Sequence, residues 1–212
     1  MRTFAIVPVK RFDRSKSRLG TILSLDERRK LSELLLVNTV RTLEQSKAIS
    51  STIIVTSESS AEEIVGTTRA QFLKLDNDNG VNAALLLADK YSSQNGADAT
   101  LVIPQDIPLL SATDIDNLCS RAERLARCIV ICPSIRYDGT NALLRKPPQL
   151  MKTLYDKDSF NSHIRAAVKI NVPIRFFLSG RMMKDLDSIE DIRILMKERV
   201  LNLPLAFLKS TL

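Results

Sequence analysis

Residues 4–9, Phe-Ala-Ile-Val-Pro-Val, form an apolar run near the start of the chain, and a second run, Thr-Leu-Val-Ile-Pro, occupies residues 100–104. Both runs are short and rich in β-branched residues, so each predicts a strand. A strand that is apolar nearly throughout is typical of a parallel sheet covered by helices on both faces. These two runs therefore favour an α/β fold.

Further strands and helices alternate along the rest of the chain. The same pattern predicts strands over residues 52–57, 72–75, 129–133, 142–145 and 174–178. Helices are predicted to open at Ser24–Glu27, which forms a capping box, and at Ser59–Glu62 and Ser111–Asp114, with further helices over residues 82–91, 159–169 and 189–200. Strand followed by helix followed by strand predicts a mostly parallel sheet with right-handed crossovers.

Length and composition limit the class of protein. The 212 residues suit a single domain spanning residues 1–212, and 44% hydrophobic residues can supply its core. No apolar run approaches the roughly 18 to 20 residues needed to cross a bilayer, and no cleavage site follows the first strand, so we expect a cytoplasmic protein with no membrane partner. Three cysteines, an odd number, suit a reducing compartment and predict buried thiols.

The net charge of +7 is concentrated near the start of the chain. Within the first 18 residues one acid, Asp13, faces six basic residues: Arg2, Lys10, Arg11, Arg14, Lys16 and Arg18. The loop follows the first strand, and ligands of such sheets bind beyond the carboxyl ends of strands. Lys10, Lys16 and Arg18 could hold a polyphosphate, although a solvated basic loop is the plainer alternative.

Two acidic segments point to a metal ion. Asp106 follows the fourth strand between Pro104 and Pro108, whose rigid backbones suit a carboxylate that must face a metal, although Asp106 could equally be a turn residue. Asp185 and Asp187 would point the same way in an extended segment and would repel each other without a cation. Asp187 also fits a helix N-cap with Glu190 as its partner.

Polar residues near three further turns could meet a ligand. They lie in Asp138-Gly-Thr-Asn-Ala142, Asp78-Asn-Gly-Val-Asn82 and Ser159-Phe-Asn-Ser-His163. One histidine, no Gly-x-Ser-x-Gly and no paired Cys and His argue against hydrolysis through an activated nucleophile. A phosphate that attacks the α-phosphorus of a nucleotide is already ionised, so the protein needs mainly to supply cations and to align the reactants.

Six segments, taken in order, resemble the 2-phospho-L-lactate guanylyltransferase family. They are Pro8–Leu19, Gly80–Leu85, Pro104–Leu109, Asp138–Leu144, Ser159–His163 and Asp185–Asp191, and together they span nearly the whole chain. The resemblance implies a single-domain, Rossmann-like three-layer sandwich of nucleotidyltransferase type. It implies that GTP and 2-phospho-L-lactate give lactyl-2-diphospho-5'-guanosine and pyrophosphate, on the route to coenzyme F-420. Relatives use phosphoenolpyruvate instead.

The resemblance also assigns roles to residues. Asp106, Asp185 and Asp187 look like ligands of Mg²⁺, and Lys16 looks like a contact of the triphosphate, with Lys10 and Arg18 in support. The nucleotide is expected at Pro8, Val9, Lys10, Lys16, Asn82 and Pro104, and the phosphorylated acid at Thr140, Asn141, Ser159 and His163. Two features depart from the family pattern: Tyr155–Asp158, where relatives often place a glycine, and Gln105, where they often have a small residue.

Other functions compete with this one. A nucleotidyltransferase for molybdopterin or a sugar phosphate would have a glycine-rich first loop, which is missing here. A basic module for RNA or DNA would need stacking platforms, but only 5% of residues are aromatic and none is Trp, so we expect no nucleic-acid partner. An apolar tail, Leu201–Leu208, could cover a second copy in a homodimer or the protein's own sheet.

Overall fold

A computed structural model describes residues 1–198 and 202–212. Its seven strands are β1 (Thr3–Val9), β2 (Ile49–Thr56), β3 (Gln71–Lys74), β4 (Ala99–Val102), β5 (Cys128–Pro133), β6 (Thr140–Lys146) and β7 (Ile174–Phe176). They form one sheet in the order β3-β2-β1-β4-β6-β5-β7. Neighbours pair in parallel except β6, which is antiparallel to both β4 and β5. The predicted mostly parallel α/β fold is confirmed.

The helices are α1 (Leu25–Gln45), α2 (Ala61–Val65), α3 (Val81–Gln94), α4 (Ala112–Ser120), α5 (Ser159–Lys169), α6 (Ile189–Leu195) and α7 (Leu203–Thr211). The capping box of Ser24 and Glu27 is present. A helix does open within Ser59–Glu62, as α2, but it has no side-chain cap, because the Ser60 hydroxyl donates instead to Glu58. The helix expected over residues 189–200 ends at Leu195, and the last two residues of that prediction lie outside the described part of the chain.

Alternating side chains of β1 show how the layers form. Phe4 and Ile6 lie in a core with residues of α3 and α5, whereas Ala5, Val7 and Val9 lie in a second core with residues of α1 and α4. Successive side chains of a strand point to opposite faces, so a strand buried on both sides supports a helical layer on each. The molecule is therefore a three-layer α/β/α sandwich.

The apolar tail covers the protein itself. Leu205 and Leu208 of α7 are fully buried in a cluster with Leu31 and Leu35 of α1. The tail packs on this helix rather than on the sheet, and Leu201 lies outside the described residues. None of the described helices is long and apolar enough to span a bilayer.

Two buried features lie within the sandwich. Cys119, Cys128 and Cys132 are free, buried thiols, as predicted. Arg145 of β6 is fully buried and donates two hydrogen bonds of 2.6 Å to the carboxylate of Asp89 on α3. This ion pair joins the reversed strand β6 to helix α3, which packs on β1 and β2.

Strand β6 runs opposite to the other strands, and its direction brings the turn that precedes it to the edge of the sheet where ligands bind. The other six strands run the same way, because β4 and β5 are both antiparallel to β6 and the remaining pairs are parallel. The first residues of β6, Thr140 and Asn141, therefore lie at the edge where the carboxyl ends of the other strands meet. Ligands of α/β sheets bind at that edge.

Candidate functional site

A cavity of about 700 Å³ opens at the carboxyl edge of the sheet. All the predicted site residues except Asn82 and His163 line it: Pro8, Val9, Lys10, Lys16, Arg18, Pro104, Asp106, Thr140, Asn141, Ser159, Asp185 and Asp187. These residues come from five separate parts of the chain. The fold thus brings together most of the groups that sequence patterns selected separately.

The basic loop after β1 is held in place rather than freely solvated. Phe12 and Leu19 are fully buried, and the backbone N–H of Phe12 donates to the Glu58 carboxylate at 3.0 Å. Lys16 lies between two short 3-10 turns and has a left-handed backbone, with φ of 54°. Its side chain is only 5% exposed, so the structure places this cation inside the site.

Lys16 binds two carboxylates at once. Its Nζ lies 2.8 Å from Asp187 Oδ1 and 3.3 Å from Asp106 Oδ2. Burial acts to lower the pKa of Lys16, but the charges of Asp106 and Asp187 outweigh burial and the pKa is raised. The lysine is therefore a permanent cation within an acidic group.

The pKa values of the two carboxylates that share Lys16 shift in opposite directions. Burial raises the pKa of Asp106, and Lys16 does not fully offset it. Burial also acts to raise the pKa of Asp187, but Lys16 outweighs it, with Arg18 and Lys10 adding to the effect, and the pKa falls below its ordinary value. Lys10 and Arg18 thus lower the pKa of the same carboxylate, Asp187, as Lys16 does.

Asp185 completes the acidic group. The side-chain amide of Asn141 donates to Asp185 at 3.3 Å and to the Met182 carbonyl at 3.0 Å. Burial, and then the charge of Asp106, raise the pKa of Asp185 to about 6. The cavity therefore holds more negative charge at this point than Lys16 neutralises.

The cap expected at Asp187 lies one residue farther on. Ser188 is the N-cap of α6, and it forms a capping box with Asp191 rather than Asp187 with Glu190. Asp191 also accepts the backbone N–H of Asp187, at 3.0 Å, and a hydrogen bond of 2.7 Å from Arg136. This correction leaves the Asp187 carboxylate free to face the cavity.

The acidic group fits a divalent cation by its chemistry. Among residues 1–198 and 202–212, no three His, Cys, Asp or Glu side chains stand close enough together, as they are, to surround a metal ion. The Lys16 ammonium stands between two of the three predicted ligands. Carboxylate oxygens are the ligands that Mg²⁺ prefers, and the three carboxylates line one cavity, so a divalent cation would suit them by charge and by ligand type.

Hydroxyl groups face this acidic group from β6 and α5. Thr140 and Ser159 are both buried, and their oxygens lie 3.2 Å apart. His163 is fully buried behind them, with Nδ1 3.0 Å from Thr140 Oγ1 and Nε2 2.8 Å from the backbone nitrogen of Leu154. The histidine does not line the cavity itself, but it contacts two residues that do, Thr140 and Tyr155.

Asn82 holds a loop rather than lining the cavity. Its side-chain carbonyl accepts the backbone N–H of Tyr155 at 2.9 Å, and its amide donates to Asp156 at 3.2 Å. Asp156 does line the cavity. Asn82 therefore holds Tyr155 and Asp156 in place without lining the cavity itself.

Several lining residues were not among the predicted site residues, and they include Arg136, Ser134 and Ser57. Arg136 closely follows β5, so inspection of every strand's carboxyl end would have found it. Tyr155 and Lys157 also line the cavity, and they belong to the segment Tyr155–Asp158 that the sequence analysis singled out as a departure from the family pattern.

Comparisons with known proteins agree with this geometry. A family model described as "Guanylyl transferase CofC like" matches residues 3–204. A phosphoenolpyruvate guanylyltransferase of Rubrobacter xylanophilus is 33% identical over 91% of this chain and 92% of its own length. A 2-phospho-L-lactate guanylyltransferase of Methanothermobacter thermautotrophicus is 28% identical over 91% of this chain and 83% of its own.

Solved structures show the same fold at low sequence identity. A chain from Desulfovibrio desulfuricans superposes with a TM-score of 0.81 at 14% identity, covering 99% of this chain and 95% of that one. A nucleotidyl transferase from Methanothermobacter superposes with a TM-score of 0.69 at 16% identity, covering 99% of both. Since the family model spans nearly the whole sequence, the chain belongs to the CofC-like guanylyltransferase family, and it is an enzyme of the nucleotidyltransferase class.

Proposed function

We propose that the enzyme is a magnesium-dependent guanylyltransferase that couples GTP with 2-phospho-L-lactate. The products would be lactyl-2-diphospho-5'-guanosine and pyrophosphate. One observation carries the proposal: Lys16, Asp106 and Asp187 line the same cavity as the hydroxyls of Thr140 and Ser159. Groups suited to a triphosphate and groups suited to a small phosphorylated acid therefore face one space.

The basic loop supports a nucleotide substrate. Lys16 is a nearly buried cation, and Lys10 and Arg18 lie close enough to Asp187 to lower its pKa. Charge-assisted hydrogen bonds from such groups suit the oxygens of a triphosphate. A nucleic-acid surface would instead present its cations outward, so the inward position of Lys16 supports GTP over RNA or DNA as the partner.

The chain's chemical task would be alignment and charge neutralisation. An oxygen of the acid's phosphate would attack the α-phosphorus of GTP in line, forming one P–O bond while the bond to pyrophosphate breaks. The attacking oxygen is already ionised, so no general base is needed. Lys16, with Lys10 and Arg18, would stabilise the charge on the departing pyrophosphate.

Asp106, Asp185 and Asp187 are the residues that would hold Mg²⁺. When bound there, the ion supplies a positive charge against the phosphate oxygens and the leaving group. The support for this assignment is that the three carboxylates line one cavity and that two of them, Asp106 and Asp187, share the Lys16 ammonium. The hydroxyls of Thr140 and Ser159, which line the same cavity, would hold the acid.

Phosphoenolpyruvate is the second candidate for the acid. The relative from Rubrobacter xylanophilus bears that substrate in its name and is more similar to this chain than the Methanothermobacter enzyme, at 33% against 28% identity. Both acids carry a phosphate and a carboxylate on a three-carbon skeleton, so the same cavity groups would serve either one.

A direct assay tests the proposal. The purified protein is given GTP and Mg²⁺ with 2-phospho-L-lactate, phosphoenolpyruvate or 3-phosphoglycerate, and pyrophosphate and the guanylylated product are measured. We expect turnover with one of the first two acids, none with 3-phosphoglycerate, and loss of turnover in EDTA. Substituting ATP or CTP for GTP measures the nucleotide preference. Absence of turnover with all three acids would overturn the proposed function.

Two further features stay predictions. Free buried thiols at Cys119, Cys128 and Cys132 support a reducing compartment, and hence a cytoplasmic enzyme. The possible homodimer cannot use the buried part of the apolar tail, because α7 already covers α1.

A further inference from the structure

We propose that His163 is a positioning residue whose tautomer makes the Thr140–Ser159 hydroxyl pair a hydrogen-bond donor to an anionic oxygen of the acid. The identity of the acid rests on the proposed function. The hydrogen-bond arrangement itself rests on the contacts of His163 alone. His163 does not line the cavity, so its role differs from direct binding of the substrate.

Three elements meet at the imidazole. Ser159 and His163 are four residues apart on α5, which places them on one face of the helix. Nδ1 lies 3.0 Å from Thr140 Oγ1 on β6, and Nε2 lies 2.8 Å from the backbone nitrogen of Leu154. The ring also packs edge-to-face against Tyr155, with centroids 5.1 Å apart. The imidazole is therefore held in one orientation.

A count of protons assigns the tautomer. The backbone N–H of Leu154 can only donate, so Nε2 must accept and carries no proton. Burial, and then the charge of Arg145, lower the pKa of His163 to about 4, so the ring is neutral near pH 7 and has one proton. That proton lies on Nδ1 and is donated to Thr140.

The two hydroxyls then have one proton to spare. Thr140 and Ser159 hold two protons between them, and one of these forms the 3.2 Å hydrogen bond that joins them. Within residues 1–198 and 202–212, neither hydroxyl has another partner apart from His163. Since both residues line the cavity, the second proton points into it.

The opposite tautomer would remove this donor. With an unprotonated Nδ1, Thr140 would have to donate to the histidine and Ser159 to Thr140, so both hydroxyl protons would be used. The pair would then face the cavity with lone pairs, which repel an anion. The position of one proton, fixed by the Leu154 backbone, therefore decides whether this wall binds an anionic oxygen.

The first test reads the tautomer directly. The chain has a single histidine, so the imidazole ¹⁵N and ¹H signals of labelled protein belong to His163 without further assignment. We expect a neutral ring protonated on Nδ1 at pH 7. A ring protonated on Nε2, or an imidazolium, would overturn the proposal. This measurement needs no substrate, so it stands even if the proposed function fails.

The second test separates donation to Thr140 from general packing. His163→Asn keeps an amide donor near the Nδ1 position, whereas His163→Phe keeps an aromatic ring and removes both hydrogen bonds. We expect His163→Phe to raise the KM for the acid roughly 10-fold with the KM for GTP within about twofold, and His163→Asn to recover most of the loss. Equal KM values for the acid in both variants and the wild type would overturn the proposal.

Two controls keep the second test decisive. Adding His163→Phe to Thr140→Val should change the KM for the acid by less than about twofold, because the effect passes through Thr140. Ser92→Ala, which removes another buried hydroxyl far from the cavity, should leave both KM values unchanged. If His163→Phe does not fold, His163→Asn and the NMR measurement still decide.

The contacted oxygen can belong to the carboxylate or to the phosphate of the acid. Ethyl phosphate has the phosphate alone, so its inhibition constant in wild type and His163→Phe distinguishes the two. A constant that rises with the substitution assigns the contact to phosphate. A constant that does not change, while the KM for the full acid rises, assigns it to the carboxylate.

Discussion

The Nζ of Lys16 lies 2.8 Å from Oδ1 of Asp187, although 171 positions separate the two residues in the chain. This ion pair joins the loop after β1 to the segment before α6. Asp106, which follows β4, shares the same ammonium at 3.3 Å. Three distant segments thus meet at one charge, and substitutions here test the site most directly.

Replacing Lys16 should remove activity. In Lys16→Met the cation is lost while the length of the side chain is kept, so the leaving pyrophosphate has less compensation. We expect kcat/KM for GTP to fall at least about 100-fold in the pyrophosphate assay. Lys30→Met, which removes an exposed lysine on α1, is the matched control and should retain wild-type activity. Lys16→Met with near-normal turnover would contradict the role given to Lys16.

Asp185 should set the requirement for Mg²⁺. Asp185→Asn keeps the size of the side chain and removes one of the predicted metal ligands, so the Mg²⁺ concentration for half-maximal activity should rise about 10-fold or more. The fold should not suffer, because burial and Asp106 already disfavour the charged form of Asp185. Asp26→Asn on the exposed first turn of α1 is the control. An unchanged Mg²⁺ titration would remove Asp185 from the metal site.

His163 should make stability depend on pH. Its pKa is lowered from 6.5 to about 4 by burial and Arg145. Between these values the unfolded chain binds a proton that the folded chain excludes, so the free energy of unfolding falls as the pH falls from 6.5 to about 4. The total loss from this group is about 3 kcal/mol.

Urea unfolding across that pH range checks the prediction about His163. The loss should be present in the wild type and absent from His163→Asn, whose side chain does not titrate. Because the chain has no second histidine, the difference between the two slopes belongs to this residue. Parallel slopes would show that the buried imidazole titrates normally.

The buried pair of Arg145 and Asp89 should be essential to stability. Asp89→Asn leaves the fully buried Arg145 guanidinium without its counter-charge, so we expect a loss of about 3–5 kcal/mol. The double variant Arg145→Met with Asp89→Leu should recover much of this loss, because no unpaired charge stays buried. Equilibrium unfolding in urea measures both. A single variant as stable as the wild type would show that solvent reaches the pair.

The strands and layers could be predicted because they depend on apolar patterning. The run over residues 4–9 is apolar throughout, and the structure buries its alternate side chains in two separate cores. The direction of β6 was not predictable in this way. A run such as Ala142–Arg145 has the same hydrophobic pattern in a parallel and in an antiparallel strand pair, so the pattern does not reveal the direction of the strand.

The site was predictable at the level of segments and less so at the level of atoms. Serine and aspartate both cap helices well, so the sequence did not decide between Ser188 and Asp187 at the start of α6. Nothing local shows that Lys16 turns inward while its basic neighbours Arg11 and Arg14 stay exposed. The four-residue spacing of Ser159 and His163 predicts that they lie on one face of a helix. It does not reveal that both side chains contact Thr140.

The reversed strand divides the cavity between two structural units. The triphosphate side depends on β1, β4 and the segment before α6, whereas Thr140 and its neighbours lie at the tip of the β5–β6 hairpin, where residues 134–139 make the turn. A hairpin tip tolerates change in length and sequence far better than the interior of a sheet. Exchange of this short turn would thus alter the side proposed for the acid directly, and it would reach the proposed metal side through Arg136, which donates to Asp191, and through Asn141, which donates to Asp185.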